Sequence, residues 1–136
     1  MRLTYKKITI IQFNKEPAVS SLDQELQALG TSLGLFSLRD KDKSCYRIFI
    51  TLLKKAKKNE SITSDELAFG LGLTRGTVIH HINNLLSSGI VVEKNNGYAL
   101  RTENLQKLIS EMKKDVDKMY LDLEKKAEKI DKELGF

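Results

Sequence analysis

The stretch "LGLTRGTVIHHINNLLSSGIVVEKNNGYALR", Leu71 to Arg101, decides how the chain is read. Stepping about 100° per residue from Thr77 gathers Val78, Ile79, Ile82, Leu85 and Leu86 on one side of a helix. Thr77, His80, His81, Asn84 and Ser88 gather on the other. The first set is a core face. The second is a row of hydrogen-bonding side chains without a carboxylate, either plain surface or a face that reads a polyanion.

The residues around this helix give it a context. Upstream, "ITSDELAFGLGL" holds a T-x-x-E capping box, Thr63 and Glu66, so a short helix is expected from Ser64. Leu67, Ala68 and Leu71 supply its buried face, and Gly70 and Gly72 are expected to make the turn. Thr74 then caps the polar-faced helix, and Gly89 ends it. Downstream, Ile90, Val91 and Val92, then "NNG", then Tyr98 and Leu100 predict a tight hairpin. Two short helices across a turn, followed by a hairpin, make a winged helix-turn-helix.

Residues Thr63 to Leu100 resemble the winged helix-turn-helix transcription regulators of prokaryotes, of the ArsR and MarR kind. The likeness lies in Leu-Gly-Leu, a threonine, a basic residue, small residues, a helix, then Gly-Ile-Val and a wing. The resemblance implies double-stranded DNA as partner, with a recognition helix over 74–88 in the major groove and a wing over 91–101 on the flanking backbone. Thr74 and Arg75 would meet phosphates at the helix start. Thr77, His80, His81 and Asn84 would face base edges, and Lys94, Asn95, Asn96 and Arg101 would reach the backbone or minor groove. The lysine-rich, glutamine-poor composition is of the kind met in archaeal or thermophilic proteins.

Charge agrees with a polyanion partner. The 136 residues carry +5, unevenly placed. Residues 1–101 hold fifteen Lys and Arg against nine Asp and Glu, a balance of +6, whereas 102–136 hold eight against nine. One cysteine, Cys45, excludes an internal disulfide and reads as a buried, inert thiol, since a redox switch has no resolving cysteine. The apolar run Ile8–Ile11 is too short for a signal peptide or a membrane span, which predicts a soluble, cytoplasmic protein.

Enzyme chemistry is not indicated. The chain lacks a phosphate-binding loop, a nucleophile elbow and an H-E-x-x-H motif. Metal sensing in the ArsR style would need cysteines or histidines that the helix before the recognition helix and the tail do not carry. Adjacent His80 and His81 diverge by about 100° on a helix and do not chelate one ion together. No cofactor, metal or catalytic residue is therefore assigned, and no effector is named.

Outside this region, residues 3–13 are expected to form a strand ended by Pro17. Ser21 caps a helix bearing Leu22, Leu26, Leu29 and Leu33. A second helix is expected over 38–59, with Tyr46, Phe49, Ile50, Leu53 and Ala56 inward, Asp40 and Asp42 at its start and four lysines near its end. In the tail, Leu105, Leu108, Met112, Val116, Met119, Leu123, Ala127, Ile130 and Leu134 recur with an eleven-residue period, giving a nearly straight seam. Folding back over the chain's own first helix is the plainer use of such a stripe. Its length favours a homodimer seam through Leu105, Leu108, Met112, Val116, Met119, Leu123, Ile130 and Leu134. The first helix would widen that dimer core, and two recognition helices would lie about one DNA turn (~34 Å) apart.

The expected architecture is mainly α: a winged helix-turn-helix domain with a small β-hairpin wing and a long C-terminal dimerisation helix. Residues 1–35 form an N-terminal support, 36–101 the DNA-binding domain and 102–136 a coiled-coil-like helix. The alternative function is a winged-helix and coiled-coil assembly module that binds another protein of the transcription machinery.

Overall fold

A computed structural model describes residues 5–12, 21–36 and 42–136. Five helices and one hairpin follow in order: α1 Leu22–Ser32, α2 Ser44–Lys57, α3 Ser64–Leu71, α4 Arg75–Ser87, β1 Val91–Lys94, β2 Gly97–Leu100 and α5 Leu105–Leu134. This is a mainly helical winged helix-turn-helix with a long terminal helix.

Helix starts follow the local chemistry. Ser21 and Gln24 close a capping box at α1, and Thr63 and Glu66 close one at α3. Backbone donation from Thr63 to the Glu66 carboxylate, with its side-chain hydroxyl second, holds that carboxyl below the usual range. Thr74 caps α4, and Asn104 caps α5 by accepting from the Lys107 N–H. The turn between α3 and α4 rests on Gly72 alone, at φ +66, where its freedom in the left-handed region is used. Gly70, expected to share that task, lies inside α3. Arg47 reaches across from α2 and donates to the Leu71 carbonyl at 2.6 Å, satisfying the open end of α3.

Three expectations need correction. Residues 5–12 form no regular strand. Their amides are used singly, Lys7 N–H to the Ser87 carbonyl and Ile11 N–H to the Ser32 carbonyl, so no ladder can develop. The second helix starts at Ser44, after Lys43 in a left-handed conformation (φ 53), which leaves Asp42 outside it. Its buried residues are Ser44, Cys45, Tyr46, Ile48, Phe49 and Leu52, while Ile50, Leu53 and Ala56 are half-buried and pack against the same core. The buried arc is thus wider than the expected face and centred elsewhere: Ile48 and Leu52 are the innermost aliphatics, both 0% exposed. Leu3, Phe13, Pro17 and Asp40 lie outside the described residues.

One core cluster takes Leu33 and Leu35 after α1, Ile48, Phe49 and Leu52 of α2, Leu67 of α3, and Val78, Ile82 and Leu85 of α4. Ile90, Val91 and Leu100 close it from the wing, and Leu108 and Met112 of α5 complete it. Residues from all three segments distinguished in the sequence therefore share a single interior. Cys45 is buried at its edge.

The hairpin pairs Val91 with Leu100 and Lys94 with Gly97 across a two-residue turn. Asn95 and Asn96 both have positive φ, 51 and 64, as a type I′ turn requires. Tyr98 also exchanges two backbone hydrogen bonds with Ile62, of 2.8 and 2.9 Å, so the outer edge of β2 is partnered.

Helix α5 departs from its expected role along part of its length. Leu108 (0% exposed) and Met112 (3%) pack into the chain's own core, so they are not free to form a dimer seam, and Leu105 packs against the same cluster. Val116 and Met119 are half-buried, and every residue from Tyr120 on is exposed. The tail both folds onto its domain and projects from it.

Candidate nucleic-acid interface

Helix α4 is oriented by Val78, Ile82 and Leu85, which are 0–1% exposed. At about 100° per residue their mean direction lies opposite His80, with Gly76 and Asn83 to one side and Asn84 to the other. Gly76, His80 and Asn84 are exposed and Asn83 half-buried. The outward sector therefore runs from Asn83 through His80 to Asn84. Ile79 and Leu86 are half-buried and bound this sector, Leu86 while packing against the core cluster.

The remaining expected reading residues turn toward a groove. Thr77, His81 and Ser88 are half-buried and line a cavity of about 950 Å³ together with Lys7, Thr9 and Gly34. His80 and Asn84 lie on its rim, and the His80 and His81 rings meet edge-on at 5.2 Å. The polar face is thus split between an outward sector and a wall shared with the N-terminal segment. Lys7 and Asn83 join the candidate residues. Neither stood out in sequence, because Lys7 reaches α4 only through the backbone bond to Ser87 and Asn83 depends on the exact inward direction.

At the start of α4 the Thr74 hydroxyl accepts from the Thr77 N–H (3.1 Å) and donates to the Thr77 hydroxyl (2.8 Å). Arg75 forms a two-pronged pair with Asp65 of α3, both bonds 2.9 Å, with both side chains mostly exposed. Such a surface pair contributes little to stability, so the guanidinium can exchange Asp65 for a phosphate at small cost. Helix α4 itself carries no Asp or Glu.

On the wing, Lys94, Asn95 and Asn96 are exposed at the tip. The Lys94 ammonium donates to the Asn59 side chain at 3.0 Å, which holds it beside the end of α2 with its lysines 54, 55, 57 and 58. Arg101 is placed differently. Its guanidinium donates to both Asp115 oxygens and to the Gly89 carbonyl, and it lies 3.6 Å from Glu111. Lys6 pairs with the same Asp115 at 3.0 Å. The hydrogen bonds from Arg101, assisted by Lys6, hold the Asp115 carboxyl below its usual range. Arg101 thus ties the wing base to α5 and stands apart from the tip residues.

Among the described residues no group of three or more His, Cys, Asp or Glu side chains is arranged to hold a metal. Among them, too, no helix is long and apolar enough to cross a membrane.

Residues 50–92, from within α2 to the second residue of β1, match the sequence profile of the winged helix-turn-helix DNA-binding family. The matched segment contains α3, the turn and the whole of α4, the elements that carry the outward sector. Comparison with curated proteins gives no match.

Proposed function

We propose that this chain is a sequence-specific DNA-binding transcription regulator that acts as a homodimer. The observation that carries the reading is α4: three buried aliphatics fix its roll, and it holds out Gly76, His80, Asn83 and Asn84 with no carboxylate of its own. The match of residues 50–92 to DNA-binding winged helices supports it. In the major groove, His80 and Asn84, with Asn83 beside them, meet base edges, and an asparagine is suited to adenine. Thr74 and Arg75 contact phosphate at the helix start, and Lys94, Asn95 and Asn96 contact the flanking backbone. Gly76 lets the helix approach the duplex without a side chain between them. Thr77 and His81 reach the duplex from the groove side.

Dimerisation falls to α5 beyond the domain, through Val116, Met119, Leu123, Ile130 and Leu134. A single module makes few phosphate contacts, and duplication multiplies its affinity.

A second reading, docking of another protein, is favoured by Phe69, which is 93% exposed on α3. The two readings separate by salt. Selection of bound duplexes from a random pool, followed by titration of the best sequence from 50 to 200 mM salt, is expected to show affinity falling roughly 10³-fold or more for six or more phosphate contacts. No enriched sequence and a flat salt response would reject the DNA reading and leave the Phe69 surface as the better candidate.

A further inference from the structure

We infer that two copies of this chain pair through the free part of α5 in antiparallel orientation, so that the winged domains stand at opposite ends of a shared rod. The inference rests on the homodimer proposed above and adds its geometry.

The orientation follows from which side of α5 the domain occupies. Helix α5 is a single uninterrupted helix of 30 residues. At about 100° per residue, Leu108, Met112, Met119, Leu123 and Ile130 all fall within about 60° of one another. Leu108 and Met112 are buried in the domain, whereas Leu123 and Ile130 are 58% and 55% exposed. The exposed seam therefore looks toward the side on which the domain sits. Paired helices approach to about 8–10 Å between axes. A parallel pair meeting through this seam would force both domains into that gap. An antiparallel pair keeps the two domains apart and brings each against the last turn of the other copy's helix.

The seam has the matching symmetry. Val116, Met119, Leu123, Ala127 and Ile130 are spaced 3-4-4-3, which reads the same in both directions about Leu123. Turning one helix end for end sets Val116 across from Ile130, Met119 across from Ala127 and Leu123 across from itself. The same edges meet in an antiparallel pair, bringing Lys113 near Asp131 and Asp122 near Lys126 of the second copy, each contact occurring twice. Leu134 and Phe136, both exposed, then come level with Met112 and Ser110 of the second copy, where its domain begins.

The arrangement changes what the dimer spans. The two Leu108 positions lie 30 residues apart along the rod, roughly 45 Å at ~1.5 Å per residue. The DNA-reading faces are carried at its ends, in place of the side-by-side arrangement about one turn apart that the sequence led us to expect.

Cysteine pairing tests the orientation in a full-length Cys45→Ala background. Antiparallel register brings position 119 of one copy to position 127 of the other, while like positions lie about 12 Å apart along the axis, beyond disulfide reach. A mixture of Met119→Cys and Ala127→Cys chains is expected to give a covalent dimer on mild oxidation, and neither variant alone should do so. Leu123→Cys should link to itself and marks α5–α5 contact in either orientation. Self-linking of the 119 or the 127 variant overturns the antiparallel assignment, as does absence of linking in every sample. Sedimentation of the unmodified chain separates the two levels of failure: a monomer at all concentrations removes the homodimer itself, whereas a dimer with the wrong cross-links removes only its orientation.

Discussion

A Cβ added at Gly97 would lie 2.7 Å from the Ile62 carbonyl oxygen and 2.9 Å from its carbon, both backbone atoms. Neither can yield without breaking the bridge between Ile62 and Tyr98. Gly97→Ala is therefore expected to destabilise the domain by about 1–3 kcal/mol, read as a lower urea midpoint with an unchanged slope. Asp115 makes a pH-dependent contribution. Its carboxyl is held below the usual value by Arg101 and Lys6, so its stabilisation is fully present above the unfolded value of about 3.9 and is lost as pH falls through the lower folded value. Asp115→Asn should lower stability at pH 7 and flatten the acid limb of a stability–pH curve. An unchanged limb would show that the pair does not matter to folding. On the reading helix, Asn84→Ala is expected to cost roughly 1–3 kcal/mol on the preferred duplex and relax its sequence preference. Lys94→Ala should weaken all sequences alike and reduce the salt slope by about one unit. Equal losses on specific and random duplexes for Asn84→Ala would remove it from the reading set. Single residues were the least legible in the sequence. Arg101 follows the hairpin and so reads as a wing cation, but its partner Asp115 stands fourteen residues further on, with nothing local to announce it.

Whole elements were legible wherever a local rule governs them. The capping pair Thr63 and Glu66, the cap Thr74, the asparagine turn and the Gly72 bend follow from nearby backbone needs, and each stands where the sequence puts it. The N-terminal segment did not follow its β-rich composition. Strand propensity is realised only against a partner strand, and here the neighbours are helix ends at Ser32 and Ser87. The roll of α2 is only partly legible, because its apolar arc is wider than Tyr46, Phe49, Ile50, Leu53 and Ala56 cover and centres on Ile48 and Leu52. On α5, periodicity marked the whole stripe but could not show where the domain stops. Cutting the chain at Thr102 would remove Leu108 and Met112 from the core and is expected to unfold the domain, whereas Leu123→Glu acts beyond it. That variant should sediment as a monomer while keeping the thermal transition of the domain. Dimers persisting in Leu123→Glu would move the interface away from α5.

At the scale of the molecule, charge and fold point the same way: residues 36–101, the winged domain, hold eleven Lys and Arg against six Asp and Glu, and the tail is close to neutral. The mainly helical class and the winged architecture were readable because hydrophobic period, caps and turn residues agree with one another. Relative placement was not, since the shared core and the direction of the free seam arise only when distant segments pack. The bare end of α5 has a kinetic consequence. From Tyr120 to Leu134 the helix touches no core, and an isolated helix of ~12–15 residues is marginal in water. Its amides should therefore trade hydrogen for solvent deuterium quickly in dilute solution, while those of Leu108 to Met112 stay slow. Raising the protein concentration should slow the distal amides selectively, so that isotope uptake along one helix becomes a gauge of how many chains have found a second copy.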